Sequence, residues 1–171
     1  MRFADFSLAA LSAALDAQRR ERGLSWAQVT REISRQPPRS RGTGMAVSTI
    51  EHIGTKRAAE GDGVLQMLLW LNRSPESFVP GHEDDGRASA PLPNMRANQM
   101  LRFDTKKLYA ALDARRAELG LSWALVAKEI GLSAASLTYL AKGTRTSFPQ
   151  VMRITAWLGR PAAEFTRVCN R

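Results

Sequence analysis

Residues Leu11–Ile33, LSAALDAQRRERGLSWAQVTREI, return at Leu108–Ile130 as LYAALDARRAELGLSWALVAKEI. Sixteen of these twenty-three positions are identical, at a constant offset of 97. The correspondence lapses and then resumes at an offset of 87. Ile50 then pairs with Leu137, Ile53 with Leu140, Val64 with Val151, Leu71 with Leu158 and Phe78 with Phe165. Ten additional residues around Arg35–Gly44 of the first copy account for the change. All four tryptophans fall into two matched pairs, Trp26/Trp123 and Trp70/Trp157. Such a period means one small unit used twice. A unit of about 65 residues buries a modest core, so its apolar positions must be used efficiently.

Each copy reads as five short helices. In the second, helix one runs from about Thr105 to Leu119, with Leu108, Ala111, Leu112 and Leu119 on one face, and Gly120 ends it. Ser122 is placed to cap helix two, which carries Trp123, Val126 and Ile130 at spacings of three and four. Gly131 stops that helix, Ser133 caps the third, and Leu137 and Leu140 are its buried residues. Gly143 closes it. Helix four begins near Phe148–Pro149 and buries Val151, Ile154 and Leu158; Phe165 sits on a last short helix. The first copy follows the same plan, and its Ser25-Trp26-Ala27-Gln28 fits a capping box. No stretch shows convincing strand alternation. PGHEDDGRASAPLPNMRANQM, residues 80–100, lacks periodicity and holds three prolines and two glycines, so it reads as a flexible linker.

In the second copy only Gly131-Leu132-Ser133 separates helices two and three. Two short helices joined by a glycine-containing turn of three or four residues form a helix-turn-helix signature. The string LSWALVAKEIGLSAASLTYLAKGTRTSFPQVMRITAWLG resembles the lambda-repressor-like (Cro/CI, XRE) helix-turn-helix family. The features that match are Ser122 and Ala127, the Gly131-Leu132-Ser133 turn, Ser136-Leu137, Lys142-Gly143, and the ending Trp157-Leu158-Gly159. The resemblance covers Leu108–Phe165 well and Leu11–Phe78 less well. It implies an all-α chain of two tandem five-helix domains, residues 1–80 and 101–171, joined by a flexible linker at 81–100. It also implies that helix three lies in the major groove of double-stranded DNA.

The residues agree with that implication. The major groove admits one α-helix and displays a distinct donor and acceptor pattern for each base pair. Leu137 and Leu140 anchor helix three to the core. Ser133, Ala134, Ala135, Ser136, Thr138, Tyr139 and Lys142 occupy its other positions, and the N-terminal ones are placed to meet base edges. Ala134 or Ala135 suits a thymine methyl. Thr144, Arg145 and Thr146 suit phosphate oxygens. Ser122 and Trp123, opening helix two, offer backbone amides to a phosphate. Three of these residues have alternative readings: Trp123 as core packing, Tyr139 as a shield for a core edge, and Arg145 as a solvated charge. Lys106, Lys107, Arg115 and Arg116 read as solvated charges.

The first copy departs from the pattern. Residues 34–44, SRQPPRSRGTG, replace the tight turn. Glu51 stands where the second copy has Thr138, His52 where it has Tyr139, and Thr55 where it has Lys142. A carboxylate in the groove repels phosphates, although it can accept from cytosine N4. Two readings follow. The insert is a basic arm, with Arg35, Arg39 and Arg41 on backbone or minor groove, and Thr49, His52 and Arg57 join the interface. Alternatively, the first copy is a protein-interaction module with a solvated loop.

Net charge is +9, with +7 of it in residues 101–171, where 12 Lys+Arg stand against 5 Asp+Glu. That balance points to a polyanion partner. A lone cysteine, Cys169, allows no internal disulfide and no cysteine-rich zinc site, and reads as incidental in a tail. His52 and His82 are the only histidines, and neither stands at metal-ligand spacing with another ligand. Gly42-Thr43-Gly44 and Gly61-Asp62-Gly63 do not follow strands, so they are not phosphate loops. Glu83, Asp84 and Asp85 read as a solvated run. No enzyme activity and no cofactor are expected. No apolar run approaches the roughly 18 residues of a membrane span. The opening residues have acids and a helical period in place of a signal-peptide core. The expectation is a cytoplasmic, nucleoid-associated transcriptional regulator that binds double-stranded DNA, with a homodimer or another regulatory protein as further partner. The alternative is a protein–protein adaptor or antitoxin-like regulator.

Overall fold

The structure, a computed structural model, describes residues 3–35, 45–82 and 88–170. They form eight α-helices and one two-stranded antiparallel sheet. The first repeat holds α1 (Leu8–Glu21), α2 (Trp26–Arg35), α3 (Val47–Glu51) and α4 (Gly61–Leu71). The second holds α5 (Thr105–Glu118), α6 (Trp123–Ile130), α7 (Ala134–Tyr139) and α8 (Phe148–Leu158). In both, the third helix tightens into a 3-10 turn, Ile53–Thr55 or Leu140–Lys142. A second 3-10 turn, Pro75–Phe78 or Ala162–Phe165, closes the repeat.

The helix ends follow from local chemistry. Ser25 and Gln28 form the expected capping box: Gln28 N–H donates to Ser25 Oγ at 3.2 Å, and Ser25 N–H to Gln28 Oε1 at 2.7 Å. Ser122 and Ser133 cap α6 and α7 by accepting from Leu125 N–H and Ser136 N–H. Gly131 ends α6 at φ +78°, a left-handed conformation that a side chain would strain. Its carbonyl is exposed toward α8, where Arg153 donates to it at 3.0 Å.

Several internal links occur twice, at matched positions. Arg19 and Arg116 each pair with an aspartate one turn earlier, Asp16 and Asp113. Each also donates to the carbonyl of the residue before the next cap, Leu24 or Leu121. Each guanidinium lies 4.9 Å from a tryptophan ring, Trp26 or Trp123. The other tryptophan pair joins the fourth helix to the second. Trp70 Nε1–H donates to Glu32 at 2.9 Å, and Trp157 Nε1–H to Glu129 at 2.7 Å.

Strands occur where none was expected. β1 (Gln99–Phe103) pairs antiparallel with β2 (Thr166–Asn170), Leu101 facing Val168 and Met100 facing Cys169. Cys169 is therefore half-buried in a sheet rather than loose in a tail. Leu101 and Phe103 alternate inward, and both are buried. Residues 88–98, expected to be part of a flexible linker, lie along α4 instead. Leu92 and Met95 pack on the core, and a cleft of about 510 Å³ opens between this segment and α4. The linker's acidic run, 83–87, lies outside the described residues.

The buried side chains of both repeats form one contiguous cluster. Phe148 of α8 is fully buried beneath Phe6 and Phe103, with ring centroids 4.6 and 5.5 Å away. Gly61 N–H donates to the Thr146 carbonyl and Phe148 N–H to the Ala59 carbonyl, both at 2.8 Å. Glu60 and Ser147 face each other between these two bonds. Buried Glu76 accepts from Ala162 N–H at 2.8 Å, and Asp5 pairs with Arg153 at 2.7 Å.

Candidate nucleic-acid interface

The α6–turn–α7 unit owes its shape to three anchors. Val126, Ala127 and Ile130 bury one face of α6, and Leu137 with Leu140 buries one face of α7 and its 3-10 extension. Arg153 fixes the α6 C-terminus while pairing with Asp5, and the bond to that carboxylate holds its guanidinium pKa above the ordinary value. The outward face of α7 is then set by periodicity. Ala135, Thr138 and Tyr139 are exposed; Ala134 and Ser136 are half-buried.

The capping cluster at the start of α7 is a short network. Ser133 Oγ accepts from Ser136 N–H at 3.1 Å and lies 2.7 Å from Ser136 Oγ. Thr138, an exposed residue, donates back from Oγ1 to the Ala134 carbonyl at 3.2 Å. Tyr139 is half exposed, at 50%, with the Lys142 ammonium 4.6 Å from its ring centroid. The structure thus holds Tyr139 at the surface rather than over a core edge. After Lys142 the chain turns through Gly143, and Thr105 Oγ1 donates to the Thr144 carbonyl at 3.2 Å, pinning the loop to α5. Thr144 and Arg145 are exposed, and Arg145 stands 4.0 Å from Glu60 of the first repeat.

Beside α7 lies a shallow concavity of about 370 Å³, floored by Leu140 and walled by Ser136, Tyr139, Arg145, Thr146 and Gln150. Thr146 reads from the sequence as a phosphate contact; Ser147 and Gln150 did not emerge from it as site residues. Their place beside α7 depends on the return of the chain into α8, which the repeat alignment does not report. A smaller counterpart of about 260 Å³ lies in the first repeat, walled by Thr49, Ile53, Lys56 and Ala58.

Ser122 and Trp123 lie one helix away. Ser122 is exposed. Trp123 is half-buried, stacked on Tyr109 at 5.4 Å with Arg116 on the ring, so its indole packs as the core reading expected. In the first repeat, α3 exposes Glu51 and ends at exposed His52, Thr49 is half-buried, and Arg57 is exposed in the following loop. The His52 ring nitrogen sits 3.2 Å from the Ser48 carbonyl. Arg35 closes α2, while Arg39 and Arg41 lie outside the described residues.

At the junction of the repeats, Asp62 accepts from Phe103 N–H at 3.0 Å with Arg102 at 4.0 Å. Burial pushes the Asp62 carboxyl above the usual aspartate range, and the Phe103 N–H only partly offsets it. Among the described residues no three His, Cys, Asp or Glu side chains gather as a metal site. Among the described residues no helix is long and apolar enough to cross a membrane. Comparison with known proteins finds no matching family model, no similar curated protein and no similar solved structure.

Proposed function

We propose that this chain is a sequence-specific, double-stranded DNA-binding transcriptional regulator, acting at the nucleoid. Its repeats are two tandem five-helix domains of the lambda-repressor-like type, and α7 enters the major groove. The observation that carries the reading is the outward face of α7. It is free of acids, its side chains are small or hydrogen-bonding, and Lys142 and Arg145 flank it on a chain of net charge +9. Small residues allow close approach to base edges, and the flanking cations suit phosphates.

The test is anisotropy titration of labelled duplex DNA across a salt series. If about five phosphates are neutralised, log K falls with log salt at a slope near −4 to −5. A flat titration between low and moderate salt removes the reading. Tyr139→Ala and Ser136→Ala should each weaken a selected site by about 1–3 kcal/mol more than random duplex. Arg145→Ala should weaken both alike, since a phosphate contact carries no base identity.

One observation favours the adaptor reading for the first repeat. Exposed Glu51 and His52 replace Thr138 and Tyr139 on its third helix, beside the 38%-exposed Val47. On that reading, Glu51→Thr leaves DNA affinity unchanged. On the DNA reading it raises affinity, because it removes a carboxylate from the groove.

A further inference from the structure

The seam between the repeats is built from equivalent residues. Glu60 and Ser147 share one repeat position, at the offset of 87, and they face each other in an antiparallel bridge. Gly61 is equivalent to Phe148, and Ala59 to Thr146. Exchanging each residue for its equivalent turns the Gly61-to-Thr146 bond into the Phe148-to-Ala59 bond, and both measure 2.8 Å. The arms obey the same exchange. Phe6 lies against Phe148, and its equivalent Phe103 lies against Gly61, where a Cβ would meet the Phe103 ring at 2.8 Å. A head-to-tail arrangement pairs unlike positions; only a two-fold axis pairs a position with itself. That axis passes between Glu60 and Ser147.

Resting on the DNA-binding reading, we propose that one chain reads one inverted pair of unlike half-sites, one helical turn apart. A two-fold in the protein meets the dyad of a duplex, so the half-sites are inverted rather than direct. They are unlike because Glu51, His52 and Thr55 stand where Thr138, Tyr139 and Lys142 stand. The spacing is bounded by chain length. Four Cα-to-Cα steps separate Gly143 from Ser147, and four separate Lys56 from Glu60, at most about 14 Å of extended chain each. Adding helical rise, the middle of each third helix lies within about 26 Å of the seam. The two middles are then at most about 57 Å apart, given about 4.5 Å across the bridge. One turn, about 34 Å, fits, and two turns, about 68 Å, do not. The shared seam, unlike a loose tether, allows a single spacing.

The experiment selects duplexes bound by the full chain from a random pool and measures stoichiometry by sedimentation. The expected outcome is two unlike, inverted half-sites and one chain per duplex. Inserting half a helical turn between the halves should lower affinity at least about tenfold. Direct repeats, tolerance of the insertion, or two chains per site overturn the proposal while leaving DNA binding intact. Absence of binding to any duplex at low salt sinks the DNA reading itself, and this proposal with it.

A second arm probes the seam directly. Glu60→Cys with Ser147→Cys, in a Cys169→Ser background, places two thiols at a non-hydrogen-bonded pair, where a disulfide fits. The oxidised form should bind the selected site within about threefold of the reduced form, a shift well under one tenfold step. Failure to cross-link in the folded chain overturns the two-fold seam. Loss of binding on oxidation, with binding kept on reduction, overturns the fixed spacing.

Discussion

Trp70 and Trp157 join the fourth helix to the second by one charge-assisted bond each, from the indole N–H to Glu32 or Glu129. Phenylalanine at either position keeps most of the apolar body and removes that bond, while Glu32 keeps its bidentate pair with Arg22. Trp70 is the more buried of the two, at 8% exposure, while the Trp157 bond is solvent-exposed. Trp70→Phe should therefore cost about 1–3 kcal/mol and Trp157→Phe less, read from urea melts followed by circular dichroism. Gly61 is the other position where one atom decides. An added Cβ meets the Phe103 ring at 2.8 Å and the Thr146 carbonyl oxygen at 3.0 Å. The ring can shift and the backbone oxygen cannot without breaking the seam, so Gly61→Ala should destabilise by about 1–3 kcal/mol. Asp62 makes a pH prediction. Its carboxyl is raised by burial, so the folded state holds a proton that the unfolded state has released. Its contribution to stability therefore falls as pH rises from the ordinary aspartate range toward neutrality. Asp62→Asn, which keeps an acceptor for Phe103 N–H, should flatten that part of the stability–pH curve.

At the scale of elements, α7 depends on one cap. Ser133→Ala removes the acceptor for Ser136 N–H and should cost about 1 kcal/mol of stability. If α7 is the DNA reader, binding of a selected site should fall with it, which calorimetry and anisotropy together would separate. Helices α2, α6 and α7 were legible because a short apolar face follows a capping serine, Ser25, Ser122 or Ser133, and Gly131 ends α6. The strands were not. QMLRF and TRVCN are five residues each, and only Leu101 and Phe103 alternate inward on β1. Their partners lie more than sixty residues apart, Phe103 against Thr166 at the near end, and no local period reports such a pairing. The outward set on α7 was readable from helical spacing alone. Its concave flank, Ser147 to Gln150, was not, because it is set by how α8 returns. The seam had left a trace in the sequence. Phe6 and Phe103 match at the offset of 97, while Phe148 is matched by a glycine, Gly61. An aromatic facing a glycine across two otherwise faithful copies is what a shared core leaves behind.

For the molecule as a whole, that shared core predicts how it comes apart. Phe148 is wholly buried partly by Phe6, and Ala162 is tied by the buried Glu76 of the other repeat. The full chain should unfold in one transition, with ellipticity and tryptophan fluorescence coincident. A fragment from Leu101 to Arg171 would uncover Phe148, a loss of about 1.5–3 kcal/mol from that side chain alone. Its denaturation midpoint should fall well below that of the full chain, and two separate transitions in the intact protein would contradict this account. The seam also has a consequence for birth on the ribosome. Phe6 and Asp5 have their partners, Phe148 and Arg153, more than 140 positions later in the chain. At about 5–20 residues per second, those groups wait roughly 7–30 seconds before their partners exist. During that interval the nascent chain presents an uncovered phenylalanine. The interval is long enough for a chaperone, or a neighbouring nascent copy offering its own Phe148, to reach it first.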